Sequence, residues 1–321
     1  MMKKLLSLVV GVMCVTCAWA DAELTLADVQ RGPHTYKIDR RKYVSASQKL
    51  QVPFRHTLRI AMGKNVCSAT MVGGDIVTAQ HCVVNNRRGF EFETTDGSRF
   101  SLQNVDILMS DKSYDKVKGA DWAVFRVATD DGQRKYIENN SVDYANVFDY
   151  MGADLYSIGY GGMKILSDQE IAYYRQQYVK FLKEYRTADG GQMKPGILKR
   201  ELGRVEKDDG VDMAELYGWF FGLRTGNGES GVPQEWFQDA DKLKYSMCKN
   251  TARRAERDAF VGLDCQGWGG NSGGGLFVID KAGRAKIVGV ASTAYSVVGG
   301  YDHGKMYRFI NASEIEKEIN K

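Results

Sequence analysis

Five glycines fall within the seven residues Gly269-Gly270-Asn271-Ser272-Gly273-Gly274-Gly275, a density that suits neither helix nor strand. Glycine loses more backbone freedom on folding than any other residue, so such a run needs a reason. One reason is chemical: a hydroxyl stands exposed while the backbone bends close to a reacting atom. In that geometry the amides of Gly270 and Ser272 can point at a developing oxyanion and stabilise an acyl-transfer transition state. A plain glycine-rich surface loop has the same composition, so this segment does not decide by itself.

A second segment lies far upstream. Of the four histidines (His34, His56, His81 and His303), His81 ends a short apolar run, Ile76-Val77-Thr78-Ala79-Gln80-His81-Cys82. Serine is a weak nucleophile at neutral pH and needs a base within hydrogen-bond reach. Histidine has the ordinary pKa for that task. The imidazole needs an acceptor in turn, to fix its tautomer and to stabilise its protonated form. Asp121 opens the strand-like run Asp121-Trp122-Ala123-Val124-Phe125-Arg126-Val127 and suits that position. Alone, His81 reads as a half-buried core histidine and Asp121 as a turn residue before a strand.

Taken together, the three segments resemble the chymotrypsin/trypsin-like serine proteases. Thr78-Ala79-Gln80-His81-Cys82 is similar to the family's TAAHC, Asp121 to Val127 to its DIALLKL, and Gly270-Asn271-Ser272-Gly273-Gly274-Gly275 to its GDSGGP. The order His81, Asp121, Ser272 is that family's order, unlike those of subtilisin or the α/β-hydrolases. The resemblance implies Ser272 as nucleophile, His81 as general base and acid, Asp121 as orienting carboxylate, and the Gly270 and Ser272 amides as oxyanion hole. The fold it implies is all-β, with two six-stranded antiparallel β-barrels of the chymotrypsin type and a short C-terminal helix.

The N-terminus reads as a signal peptide over 1–20, with Lys3 and Lys4, an apolar core from Leu5 to Cys17, and the small-x-small site Ala18-Trp19-Ala20. Its apolar run falls short of the ~20 residues that span a bilayer. Residues 21–56 are polar, with basic Arg40-Arg41-Lys42, and read as a propeptide or an N-terminal arm; the peptidase domain then covers 57–321. Without the leader four cysteines remain, an even number suited to an oxidising compartment. Four cysteines allow three pairings. The resemblance implies Cys67–Cys82, beside the histidine, and so leaves Cys248–Cys265. No Cys/His cluster has the short spacing of a tetrahedral metal site, so neither metal nor cofactor is expected. The net charge of +4 falls to +2 once Lys3 and Lys4 are gone, too little to argue for nucleic acid or an anionic membrane.

Strand-like runs surround these segments: Leu58–Met62, Val66–Val72, Ile76–Val84, Phe90–Phe92, Phe100–Leu108 and Trp122–Val127, with Gly73-Gly74 as a hairpin turn. Asp154–Gly161 is similar to the strand that opens the family's second barrel. Between about Met163 and Lys244 the chain is longer than the family requires and reads as helical. Ser167-Asp168-Gln169-Glu170 has the form of a capping box, and Ile171, Tyr174, Tyr178, Phe181, Leu182 and Tyr185 follow at helical spacing until Gly190-Gly191. A second helical segment is expected from Ile197 to Lys207, and a turn-rich aromatic stretch from Tyr217 to Phe237. The apolar stripe favours a docked packing element over an accessory subdomain that covers the substrate cleft. Near the end, Met306–Ile310 reads as a strand, and Ser313 as the cap of a helix from Glu314 to Ile319.

Two departures bear on function. Asn271 stands where zymogen-type members carry the aspartate that pairs with a newly freed N-terminal ammonium. A neutral amide forms no such ion pair, so the loop is expected not to depend on it. Gln266, six residues before Ser272, takes the pocket-base position that the resemblance assigns, and it brings no charge to select Arg or Lys. Ser292, Thr293 and Ala294 are expected to form the edge that binds substrate by strand addition. Ala291 stands beside that edge where the family's glutamate-specific members carry a histidine, which leaves His303 without a family role. The expectation is therefore a secreted or periplasmic serine endopeptidase acting on proteins or peptides. The alternatives are a catalytically silent homologue that binds peptides, and an esterase or amidase.

Overall fold

The computed structural model describes residues 41–62, 65–84, 90–102, 106–110, 120–126, 131–184, 195–196, 199, 202–203, 232–239, 241–255, 259–261, 263, 265, 267, 270–295 and 306–321. The signal-peptide reading, most of the second helical segment, most of the aromatic stretch before Val232, Gln266 and His303 lie outside them. Sixteen strands are described: β1 Lys42–Tyr43, β2 Thr57–Met62, β3 Asn65–Val72, β4 Asp75–Thr78, β5 Phe90–Glu93, β6 Arg99–Leu102, β7 Asp106–Met109, β8 Ala123–Arg126, β9 Asp143–Tyr144, β10 Asp154–Gly159, β11 Lys244–Lys249, β12 Arg253–Arg254, β13 Ala259–Val261, β14 Gly275–Ile279, β15 Ala285–Tyr295 and β16 Met306–Asn311. The longer helices are α1 Ala46–Lys49, α2 Asp131–Asn140, α3 Asp168–Glu184 and α4 Ala312–Ile319.

The strands form two sheets. The first is antiparallel in the order β6-β5-β2-β3-β4-β8-β7; the second runs β1-β11-β10-β14-β15-β16-β13-β12, with β9 parallel to β15. Two antiparallel β units with a C-terminal helix is the chymotrypsin-type arrangement the sequence leads one to expect. The strand numbers differ in detail, seven and nine in place of six and six. Two-residue strands account for the excess in the second sheet: β1, β9 and β12. In the first, the run expected from Phe100 to Leu108 is split into β6 and β7.

Alternation of buried and exposed residues explains why these segments pair as they do. Along β5, Phe90 and Phe92 turn inward while Glu91 faces out. Phe92 meets Leu58, Ile60, Met71, Ile76 and Phe125 in the core of the first unit. Leu155, Phe260, Leu276, Val288 and Phe309 fill that of the second. A third cluster, with Val77, Val124, Ile158, Phe277, Ile287 and Ile310, joins the two units. Each fully buried side chain of this size contributes about 1.5–3 kcal/mol of burial. The β3–β4 turn has Gly73 at φ 59° and Gly74 at φ 89°, the doubly left-handed turn whose twist matches a tight hairpin.

In the segment after β10, α3 forms from the expected start. The Glu170 amide donates to Ser167 Oγ, and the Ser167 amide donates to Glu170 Oε2. Its stripe packs as core: Tyr174 and Leu182 are buried with Met163, Leu166 and a fully buried Trp236. The C-terminal helix needs a correction. It begins at Ala312 with Asn311 as N-cap, because the Ser313 hydroxyl donates to Asn311 Oδ1 and caps no amide.

Candidate active site

His81 sits on the single 3₁₀ turn Gln80–Cys82 that ends β4, and it is 7% exposed. The Cys67–Cys82 disulfide, 2.04 Å between sulfurs, ties that turn to β3. Cys248 and Cys265 are also bonded, so both expected pairs are formed. Cys67, His81 and Cys82 place three donor atoms within 4.8 Å of one another. Both sulfurs are committed to the disulfide and His81 Nδ1 to a carboxylate, so the trio does not fit a metal ion.

Asp121 lies two residues before β8 and is the one non-glycine residue with positive φ, 47°, among those described. Aspartate tolerates this left-handed conformation better than most side chains. It aims the carboxylate inward, where the residue is 3% exposed. His81 Nδ1 donates to Asp121 Oδ2 at 2.9 Å and lies 3.2 Å from Oδ1, while the His81 amide donates to Oδ1 at 3.0 Å. Ser292 Oγ donates to Oδ2 at 2.5 Å. Burial by itself pushes the carboxyl pKa up. The His81 charge, its two hydrogen bonds and the Ser292 hydroxyl together outweigh burial and hold it below the ordinary carboxylate range.

The glycine-serine segment threads between the two sheets. Ser68 donates its amide to the Ser272 carbonyl at 2.8 Å and its hydroxyl to the Gly270 carbonyl at 2.8 Å. The Gly273 amide donates to the Ala291 carbonyl at 2.7 Å. Gly273 has φ 80°, and a Cβ there would lie 2.1 Å from Thr78 Oγ1 and 2.2 Å from the Ser68 carbonyl. Only glycine fits so close to that backbone. Ser272 Oγ is 3.5 Å from the Ser292 carbonyl, to which it donates. Ser292 therefore touches Ser272 through its backbone and Asp121 through its side chain.

The structure thus links His81, Asp121, Ser272, Gly270 and Ser292 into one cluster, in which His81, Asp121 and Ser292 are buried and Gly270 and Ser272 half-buried. Thr293 and Ala294 lie on β15 opposite Arg308 and Tyr307 of β16. On its other side β15 pairs with β14 only as far as Val290. The 292–295 edge facing away from β16 has no strand partner among the described strands. The Ser292 hydroxyl bridge is invisible in the sequence, which shows Ser292 only as part of the binding edge. Ser68 is also unmarked by local pattern, since its partner Gly270, at 2.8 Å, lies 202 residues away, while Thr78 reaches the Ser68 carbonyl across the β3–β4 hairpin at 2.7 Å.

No protein-family model matches the chain, and no curated protein matches it in sequence. Solved structures do match. A Glu endopeptidase in complex with MPD shares 15% identity at a TM-score of 0.47, covering 88% of this chain and 95% of its own. The thermostable serine protease AL20 from an extremophilic microorganism shares 13% at 0.45, covering 83% and 95%. Rv3671c from M. tuberculosis, as an inactive Ser343Ala mutant, shares 13% at 0.42, covering 83% and 85%. These likenesses are of fold, and at such identities they say nothing about what this chain acts on.

Proposed function

We propose that this chain is a secreted serine endopeptidase in which Ser272 attacks the scissile carbonyl. His81 takes the Ser272 proton as the carbon–oxygen bond forms, and then delivers it to the leaving amine as the carbon–nitrogen bond breaks. Water then bonds the acyl carbon as the same imidazole takes its proton, the ester carbon–oxygen bond breaks to release the acid, and the His81 imidazolium gives that proton to Ser272 Oγ. Asp121 holds Nδ1–H toward itself, which leaves Nε2 as the basic nitrogen, and its charge stabilises the imidazolium. The Gly270 and Ser272 amides receive the oxyanion.

The observation that carries this reading is the buried Asp121 carboxylate, which accepts from His81 Nδ1 at 2.9 Å while Ser292 links it to the Ser272 loop. A core histidine needs no buried anion, and a carboxylate held ionised in the interior is costly unless it serves a partner. The open edge at Ser292, Thr293 and Ala294 suits an extended peptide bound by main-chain hydrogen bonds. Gln266 is the proposed pocket-base residue. Two disulfides support passage to an oxidising compartment, and no described helix is long and apolar enough to cross a membrane.

Fluorophosphonate labelling tests the reading. Label on the wild-type protein, absent from Ser272→Ala and strongly slowed in His81→Ala, supports it. Lack of label on folded wild-type protein refutes it and leaves a peptide-binding homologue. Ester turnover without cleavage of any denatured protein would instead indicate an esterase.

A further inference from the structure

Arg41, in the basic cluster ahead of the first sheet, is 3% exposed, although such clusters are usually solvated. Its guanidinium donates Nη1 to the Met163 carbonyl at 3.2 Å and Nη2 to the Lys164 carbonyl at 3.3 Å. The adjoining chain is fixed to the same place. β1 pairs with β11 at Lys42–Tyr245 and Tyr43–Lys244. Tyr43 Oη accepts from the Ile165 amide at 2.9 Å and donates to Asp239 Oδ2 at 2.6 Å. A second buried cation, Lys244, donates Nζ to the Gly161 carbonyl at 2.7 Å. Three carbonyls between Gly161 and Lys164 are thus held by cations, and the next amide is held by Tyr43.

That segment supports the nucleophile loop. A Cβ on Gly270 would lie 2.4 Å from the Tyr160 carbonyl and 3.1 Å from the Gly162 amide. A Cβ on Gly161 would lie 2.4 Å from Asn271 Oδ1 and 3.4 Å from Arg41 Nη1. The Tyr160 amide donates to Ser68 Oγ, which donates to the Gly270 carbonyl, each at 2.8 Å. Gly270 thus packs directly on the 160–162 backbone, and the Ser68 hydroxyl bonds both segments, so a shift at 160–162 is passed to Gly270 and Asn271. Asn271 is itself 3% exposed, and its Oδ1 has no hydrogen-bond partner among the described residues. The neutral amide occupies that place without an ion pair, and Arg41 and Lys244 beneath the loop both donate to carbonyls of the 161–164 segment.

We infer that Arg41 is a positioning residue for the oxyanion loop, an internal strut that sets Gly270–Ser272 without a freed N-terminal ammonium. The arm from Arg41 onward therefore belongs to the active fold, and any processing ends before it. The inference rests on Ser272 being the nucleophile.

The test uses the chain from Asp21, with Arg41→Ala and Arg41→Lys variants and forms beginning at Arg41 and at Val44. Fluorophosphonate labelling, ester kcat and KM, and circular dichroism are measured on each. Folded Arg41→Ala is expected to lose roughly 10²-fold in labelling rate and kcat, the scale of a displaced catalytic group, with KM little changed. Arg41→Lys, which can still hold one carbonyl, recovers part of that loss. The form from Arg41 stays active and the form from Val44 does not. Wild-type labelling in folded Arg41→Ala, or in the form from Val44, overturns the inference. If Arg41→Ala does not fold, Arg41→Met replaces it. Failure of that variant to fold also overturns the inference, because Arg41 would then be a stability residue alone. Unlabelled wild-type protein instead refutes the protease reading.

Discussion

Ser292→Ala removes one hydroxyl from Asp121 and leaves the fold's backbone untouched, which makes it a clean probe of the carboxylate. Asp121 is buried and accepts from three donors: His81 Nδ1, the His81 amide and Ser292 Oγ. A hydrogen bond to a charged group is worth about 1.5–3 kcal/mol, which is roughly 10- to 150-fold in rate if all of it is felt in the transition state. The two His81 donors still hold the carboxylate, so the expected loss in kcat lies at the low end, about tenfold. KM should change little, because the backbone edge is retained. The same hydroxyl is one of the groups that keep the Asp121 pKa below its ordinary value. A carboxyl depressed in the folded state contributes stability above its unfolded pKa and loses it as pH falls through the folded value. Ser292→Ala raises the folded value, so acid unfolding should begin at higher pH than in the wild type. The assay is ester hydrolysis across pH together with an acid-unfolding curve. Unchanged kcat with an unchanged acid transition would refute the role given to this hydroxyl.

Three further outcomes follow from the same geometry. Gly273→Ala adds a Cβ at φ 80° within 2.2 Å of both Thr78 Oγ1 and the Ser68 carbonyl. It should cost about 2–5 kcal/mol in urea denaturation, and a cost below 1 kcal/mol would contradict the described loop path. Reducing Cys67–Cys82, separated by 15 residues, should remove about 3 kcal/mol of stability and slow labelling at Ser272, because the bond anchors the His81 turn; equal labelling before and after reduction contradicts the anchoring. His56 donates Nδ1–H to the Asn140 carbonyl, and burial pushes its pKa down to about 4 despite that bond. A folded value below the unfolded one means stability is complete above about pH 6.5 and falls by about 3 kcal/mol as pH drops to about 4. Urea midpoints across that range should slope less in His56→Gln, and equal slopes would exclude His56 as the cause.

Legibility followed how locally each requirement is written. The glycine-serine loop, the His81 turn and the Asp121 segment stand out because the proposed chemistry asks for glycines, small residues and a strand-entry acid at adjacent positions. The strands of the first unit alternate clearly, as in Phe90-Glu91-Phe92-Glu93, and α3 carries both its cap and its stripe. Helix α2 was not visible, because Asp131-Gly132-Gln133-Arg134-Lys135-Tyr136-Ile137-Glu138-Asn139-Asn140 has almost no apolar face and buries Ile137 alone completely. Two-residue strands such as β1 carry too little pattern to be read. Arg41 reads only as part of a basic cluster, because the carbonyls it holds at 3.2 Å and 3.3 Å lie more than a hundred residues away. The same distance in sequence hides the bond from Ser292 to Asp121.

Turnover by the proposed route requires that Ser272 becomes acylated. Mixing the protein with a chromogenic ester, quenching in acid and measuring intact mass tests it directly. A burst of chromophore of one equivalent per active site is expected, with a mass increase of one acyl group. On digestion that mass maps to the peptide carrying Ser272, and it is absent in Ser272→Ala. Turnover with neither a burst nor acylated Ser272, or an acyl group carried by another residue, would contradict it.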